Sequence, residues 1–250
     1  MLAKDGSTRR VETGQYISAA IPTDGGRYIG ALTTGLYLFN ESELIEKLAA
    51  PLDFPVWLRF NDAKCDPVGR LWFGTMPLFR GSGRTGYLYR LDPGWTCTPV
   101  VSGVSVSNGL AWDERLGVMY YIDTSTKYVD VFDYDCACGH LSNRRHAAYI
   151  DNGYPDGMAM DVEGMLWVAV WGTGEIRRIN PRDGSLLGIV EVPARFVSSC
   201  CFGGPDYQTL YVTSAMDGDA ENPLSGRIFA AQAGIPGTPA TLFAETSMAQ

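Results

Sequence analysis

The chain has 250 residues, 46% hydrophobic and 19% charged, with a formal charge of −8 at pH 7 and a pI near 4.8. That balance belongs to a folded globular protein, and its acidic excess argues against nucleic acid or an anionic membrane as the main partner. No stretch reaches the ~18 consecutive apolar residues of a membrane span. Met1 to Gly25 contains no apolar run of signal-peptide length. The six cysteines, Cys65, Cys97, Cys136, Cys138, Cys200 and Cys201, are too sparse for a disulfide scaffold. A cytoplasmic protein with reduced thiols is expected.

Taken in chain order, a turn centred on Asp and Gly, followed by a short aromatic and β-branched strand, recurs five times. The copies are Thr23 to Ile29, Asp66 to Phe73, Asp113 to Tyr121, Asp161 to Val168, and Pro205-Asp206 through Val212. Their matching aromatics, Tyr28, Trp72, Tyr120, Trp167 and Tyr211, lie 44, 48, 47 and 44 residues apart. Near-constant spacing in the mid-forties with strand-turn-strand chemistry is what β-propeller blades produce. Asp bonds its own backbone and Gly accepts positive φ, so each copy supplies its own turn. No long stretch has 3.6-residue periodicity, and Glu41 to Leu48 is the best helical candidate. The expectation is an all-β chain forming one domain over residues 1–250.

The turn residues Asp66, Asp113, Asp161 and Asp206 are read as hairpin chemistry and not as ligands. Five residues before each turn Asp stand Ala19, Asn61, Asn108, Asp156 and Cys201. Equivalent positions in successive blades form one ring around a propeller axis, so Asn61, Asn108 and Asp156 would converge. Strand interiors disfavour Asn and Asp, and three at one repeat position point to a purpose. One reading is that they satisfy buried backbone groups at strand ends. The other is a ligand site whose amide and carboxylate oxygens suit a hard cation, Ca²⁺, Mg²⁺ or Mn²⁺, with Zn²⁺ held less selectively.

Several blocks then resemble one family: Arg59-Phe60-Asn61-Asp62, Gly74-Thr75-Met76, Ser107-Asn108-Gly109-Leu110, Tyr120-Tyr121-Ile122-Asp123, Pro155-Asp156-Gly157-Met158 and Ser199-Cys200-Cys201-Phe202-Gly203-Gly204. Together they resemble the gluconolactonase / senescence-marker-protein (regucalcin) / luciferin-regenerating enzyme family, across nearly everything from Pro55 to Thr213. The resemblance implies a six-bladed β-propeller with one divalent cation in its channel, hydrolysing aldonolactones to aldonic acids. It implies Asn108 and Asp156 as metal ligands, Asp156 also as the catalytic base, and Arg59 and Asn61 as substrate contacts.

Two departures follow. The family's Gly-Glu-x-Pro-x-Trp segment, whose Glu is the third metal ligand, does not occur in this chain. Five repeat copies stand where six are expected, so most of a first blade, roughly forty residues, would lie ahead of Met1. The Glu that contacts sugar in regucalcin members also has no counterpart. The loop Pro77 to Gly86 contains no acid, and Arg80 or Arg84 is the alternative substrate contact there. The competing expectation is a non-catalytic calcium-binding or degenerate propeller. A different lactone or ester on the same scaffold is a third. Oligomeric state is not legible.

Other signals are read as structural. Asp217 to Asn222 has calcium-loop composition but lacks the EF-hand glycine, and reads as an acidic surface loop. Cys136-Ala137-Cys138-Gly139-His140 falls where a blade hairpin should turn. Neither His140 nor His146 shares a base-nucleophile pattern with a serine.

Overall fold

The computed structural model describes residues 10–48, 55–79 and 83–245. Arg80, one of the two arginines expected to face substrate, lies outside them. The described residues form nineteen strands and one 3₁₀ turn, Thr124–Thr126, with no α-helix among them. The chain divides into two compact units. One comprises the described residues through Val104 with those from Thr241 on, and the other Ser105–Ala240.

The first unit holds two antiparallel four-stranded sheets in simple meander order. One runs β1 (Ile17–Pro22), β2 (Tyr28–Leu32), β3 (Gly35–Phe39), β4 (Leu44–Lys47). The other runs β5 (Leu58–Cys65), β6 (Leu71–Pro77), β7 (Gly86–Leu91), β8 (Cys97–Val104). Ile29, Leu38, Phe60, Phe73 and Leu91 pack between them, joined by Phe243 from the C-terminal residues. Phe60 and Phe73 are almost wholly buried, and each such side chain contributes about 1.5–3 kcal/mol.

The second unit repeats the plan. A third meander runs β9 (Ser107–Asp113), β10 (Val118–Asp123), β11 (Tyr128–Asp135), β12 (His140–Tyr149). A fourth runs β13 (Tyr154–Met160), β14 (Leu166–Trp171), β15 (Glu175–Ile179), β16 (Leu186–Glu191). A final three strands, β17 (Phe196–Gly203), β18 (Thr209–Ala215) and β19 (Ile228–Gln232), join the fourth sheet through the single pair Trp171 and Phe196. Two apolar clusters fill the spaces between these sheets, around Tyr120, Met158 and Val168 and around Trp167, Val197 and Leu210.

The five repeat aromatics all fall on second strands, at Tyr28 in β2, Trp72 in β6, Tyr120 in β10, Trp167 in β14 and Tyr211 in β18. At two of the turns the aspartate ties first strand to second. Asp66 accepts from Val68 N, Arg70 N, Arg70 Nε and the Trp72 indole Nε1 at 3.1, 3.0, 2.7 and 2.9 Å. Asp161 accepts from Glu163 N, Met165 N, Trp167 Nε1 and Arg178 Nε at 3.0, 3.0, 2.9 and 2.8 Å. Gly69 (φ 85°) and Gly164 (φ 80°) close these turns in the left-handed region. Both carboxylates are fully buried, so their cost of desolvation is met by four donors each.

The helical candidate is overturned. Within Glu41 to Leu48 the chain makes a turn in which Asn40 Oδ1 accepts from Ser42 N and Glu43 N, at 2.8 and 3.0 Å. It then enters β4, pairing with β3. Glu, Leu and Lys favour helix only weakly, and a free strand edge beside them outweighs that preference.

Candidate functional site

Each first strand contains one irregularity of the same kind. In β5, Phe60 faces Thr75 and Ala63 faces Phe73, so Asn61 and Asp62 share one opposing residue. In β9, Leu110 faces Tyr121 and Ser107 faces Asp123, which places the extra residue at Asn108-Gly109. In β13, Pro155 faces Val170 and Met158 faces Val168, which places it at Asp156-Gly157. Strands β1 and β17 carry theirs at Ser18 and Ser198. These are β-bulges, which bend a strand and re-aim a side chain.

Three of the five bulges therefore coincide with residues singled out by repeat spacing. The other two do not. Ala19 is the residue after the bulged Ser18. Cys201 sits in regular pairing with Tyr211, three residues past Ser198. Counting back from the turn fails in β17 because more regular strand separates its bulge from Asp206.

In the second unit the bulges of β9 and β13 are in contact. A Cβ added to Gly109 would lie 2.8 Å from the Asp156 carbonyl oxygen, so only glycine permits this approach. The Thr124 hydroxyl bridges the same two strands. It accepts from Asn108 Nδ2 at 2.7 Å and donates to the Pro155 carbonyl at 2.8 Å. Asn108 is 5% exposed and Asp156 half-buried. One strand further on, a Cβ on Gly157 would lie 2.2 Å from Ser199 Oγ. Just ahead of β9, buried Asp123 accepts from Ser105 N and Val106 N at 3.1 and 3.0 Å. The neighbouring Ser107 Oγ meets the Tyr121 hydroxyl at 2.8 Å, and burial pushes that phenol's pKa up.

In the first unit, Arg59 and Asn61 are neighbours in space. Arg59 Nη1 donates to Asn61 Oδ1 at 2.9 Å and to the Phe60 carbonyl at 3.0 Å. Ser18, at the bulge of β1, donates to the same carbonyl at 2.7 Å. Asp62 shares the bulge with Asn61. Burial pushes its carboxyl pKa up, against the opposite pull of Lys64 and of the Ala63 N–H that it accepts at 2.8 Å. Arg84 Nε is engaged with the Gly103 carbonyl at 2.7 Å.

The candidate oxygen donors on β9 and β13 are the Asn108 amide and the Asp156 carboxylate. Thr124 engages the Asn108 amide through Nδ2, and it is through the oxygen that this amide would meet a cation. Oxygen donors of this kind would fit a hard divalent cation. Among the described residues no three His, Cys, Asp or Glu side chains form a metal-holding group. The Asp217 to Asn222 loop is internally bonded, Asp219 accepting from the Asn222 amide and the Ser225 hydroxyl. Cys136 to Gly139 form the β11–β12 turn, with Asp135 accepting from Ala137 N at 2.8 Å.

Thr124, Asp62, Ser198 and Ser199 were not singled out from sequence. Glycine directly after both Asn108 and Asp156 was the available signal, because a strand interior disfavours it unless another backbone comes close.

A family model for the SMP-30/gluconolactonase/LRE-like region matches residues 1–216. YvrE of Bacillus subtilis, described as a candidate sugar lactone lactonase, is 38% identical over 232 residues, 90% of this chain and 79% of its own. Among solved structures, a luciferin-regenerating enzyme superposes with a TM-score of 0.88 at 31% identity, covering 96% of this chain and 85% of that one. A calcium-binding protein, regucalcin, from Agrobacterium tumefaciens gives a TM-score of 0.83 at 25% identity, covering 92% and 80%.

Proposed function

From the premise that the chain belongs to the SMP-30/gluconolactonase/LRE-like family, we propose that it hydrolyses sugar lactones to aldonic acids, with Asp156 as the proton-transferring group. The observation that carries this reading is the bulge at Asp156-Gly157 pressed against the one at Asn108-Gly109, tied by Thr124. We further read the fold as a single six-bladed β-propeller domain.

A lactone carbonyl is a modest electrophile, and hydrolysis joins a water oxygen to its carbon and breaks the bond to the ring oxygen. Asp156 accepts the proton of the attacking water and returns it to the departing ring oxygen. Arg59 and Asn61 hold the ring and its hydroxyls in one orientation, which lowers the entropic part of the barrier. The Arg59 Nη1 bond to Asn61 Oδ1 pre-arranges that pair. Asn108 and Asp156 are the residues that would hold a divalent cation. Such an ion supplies Lewis-acid stabilisation of the charge that builds on the carbonyl oxygen. Asn108 would be a neutral ligand, holding the ion without offsetting its charge.

Ring opening releases an acid, so a pH-indicator assay across glucono-, galactono- and pentonolactones tests the reading, run with Mg²⁺, Mn²⁺, Ca²⁺ and Zn²⁺ in turn. Turnover above the spontaneous rate, lost on chelation and restored by one of these ions, is expected. Absence of turnover with every lactone and ion would overturn it. No helix among the described residues is long and apolar enough to cross a membrane.

A further inference from the structure

Lys127 sits where the backbone disfavours a lysine. The 3₁₀ turn Thr124–Thr126 ends on it at φ 62°, ψ 9°, the left-handed region that glycine or asparagine enters with less strain. Its N–H donates to the Thr124 carbonyl at 3.1 Å, and its own carbonyl accepts from Ile150 N at 2.9 Å, so both sides of the residue are fixed. Thr124 is the residue whose hydroxyl ties Asn108 to the Pro155 carbonyl. The turn that braces the candidate site therefore also carries an ammonium group, on a backbone that gains nothing from having a lysine there.

The side chain is also directed. Nζ lies 4.9 Å from the centre of the Tyr154 ring, a cation–π contact that holds the charge over a residue two places before Asp156. Two strand residues cover about 7 Å, the scale of a six-carbon sugar acid. Tyr154 is 47% exposed, and strand pairing sets it beside Trp171, whose ring lies 4.9 Å from that of Phe196. Among the described residues no carboxylate pairs with Lys127. Asp151, in the loop ahead of Tyr154, pairs with Arg177 Nη1 at 3.0 Å instead. In a chain of formal charge −8, an ammonium group kept over an aromatic ring close to Asp156 is a place for an anion. One ammonium balances one carboxylate, whereas phosphate draws on the several donors of arginine forks or helix N-termini.

We propose that Lys127 holds a second carboxylate carried by the lactone substrate, so that lactones of sugar diacids are preferred over lactones with a neutral tail. The inference rests on the reading of Asp156 as the proton-transferring group of a lactonase, and it names the end of the substrate that reading leaves open. The lactone carbonyl lies at Asp156 and the far carboxylate at Lys127, with the Tyr154 ring beside the carbons between them.

The test uses the full chain with D-glucaro-1,4-lactone and D-glucono-1,4-lactone, which share a ring and differ only in a terminal carboxylate or hydroxymethyl group. The expected result is a higher kcat/KM for the glucarolactone in the parent. Lys127→Gln should lower the ratio of the two about tenfold, through KM for the diacid lactone, the size of effect that one partly exposed charged contact produces. Lys127→Arg should restore most of it, and added salt should erode the ratio in the parent but not in Lys127→Gln. Arg182→Gln removes an equal charge from the exposed turn between β15 and β16 and should leave the ratio as it was. Turnover of both lactones with no preference for the diacid, or a ratio unmoved by Lys127→Gln, would overturn the inference while leaving lactone hydrolysis standing. Calorimetric titration with D-glucarate and D-gluconate gives a readout independent of catalysis. Tighter binding of glucarate that weakens about tenfold in Lys127→Gln supports the site even where no lactone is hydrolysed, and no binding of glucarate by the parent counts against it.

Discussion

Asp156 and Asp161 stand five residues apart at the two ends of one strand, and the fold treats them in opposite ways. Asp161 is fully buried and accepts four donors, two from its own turn, one from the Trp167 indole and one from the Arg178 guanidinium. Asp156 is half-buried on a bulge, set against the glycine of the next bulge. The same side chain therefore serves architecture at one end and, in the function proposed above, chemistry at the other. What separates the roles is backbone geometry, not residue type.

That contrast can be broken most directly at Asp156. Asp156→Asn keeps the shape and one oxygen but removes the proton acceptor. Lactone hydrolysis should fall by about 10²–10⁴-fold with the denaturation midpoint unchanged. The reverse result is expected of Asp161→Ala. Removing a carboxylate from a guanidinium and an indole inside the protein should cost about 3 kcal/mol in urea denaturation, with kcat near the parent value for the fraction that folds. Loss of activity in a stably folded Asp161→Ala protein would erase the distinction.

Gly109→Ala sharpens the comparison from the backbone side. Its methyl group would meet the Asp156 carbonyl oxygen, so a loss of about 1–3 kcal/mol is expected, accompanied by lower kcat because the two bulges are forced apart. An alanine variant with parental stability and activity would show that the bulges need no such closeness. The smallest effect is expected at Asp62, whose carboxyl burial pushes up. A carboxyl with a native pKa above its unfolded value binds more protons in the native state. Stability then declines as pH rises from the unfolded range near ~3.9 through the folded value. Asp62→Asn should accordingly be more stable than the parent at pH 7, and the difference should vanish below about pH 4. Thermal melts across pH 3–8 check the sign.

The repeat was legible because its chemistry is local. Asp and Gly make their turns within four residues, and an aromatic follows on the next strand, so spacing alone located all five second strands. The bulges were legible only indirectly. An inserted residue leaves no compositional mark unless a neighbouring strand forces a glycine beside it, as at Gly109 and Gly157. Where no glycine follows, counting from the turn reached Asn61 in β5 but pointed to Ala19 and Cys201 in place of Ser18 and Ser198. The β4 strand was obscured because Glu41 to Leu48 has helical composition, and the pairing that decides it comes from β3. Asp62 was hidden by its neighbour Asn61, since nothing in a linear pattern reports that burial will push a carboxyl's pKa up.

The recurrence of one extra residue in every first strand has a consequence for how such a protein changes over time. Ser18, Asn61, Asn108, Asp156 and Ser198 occupy five sockets of the same construction, each projecting a side chain without interrupting the ladder beyond it. An occupant can be exchanged by a single codon while the hydrogen-bonded sheet behind it stays intact. A substitution at one of these stations would change the projected side chain with no need to reorganise a loop or rebuild a core.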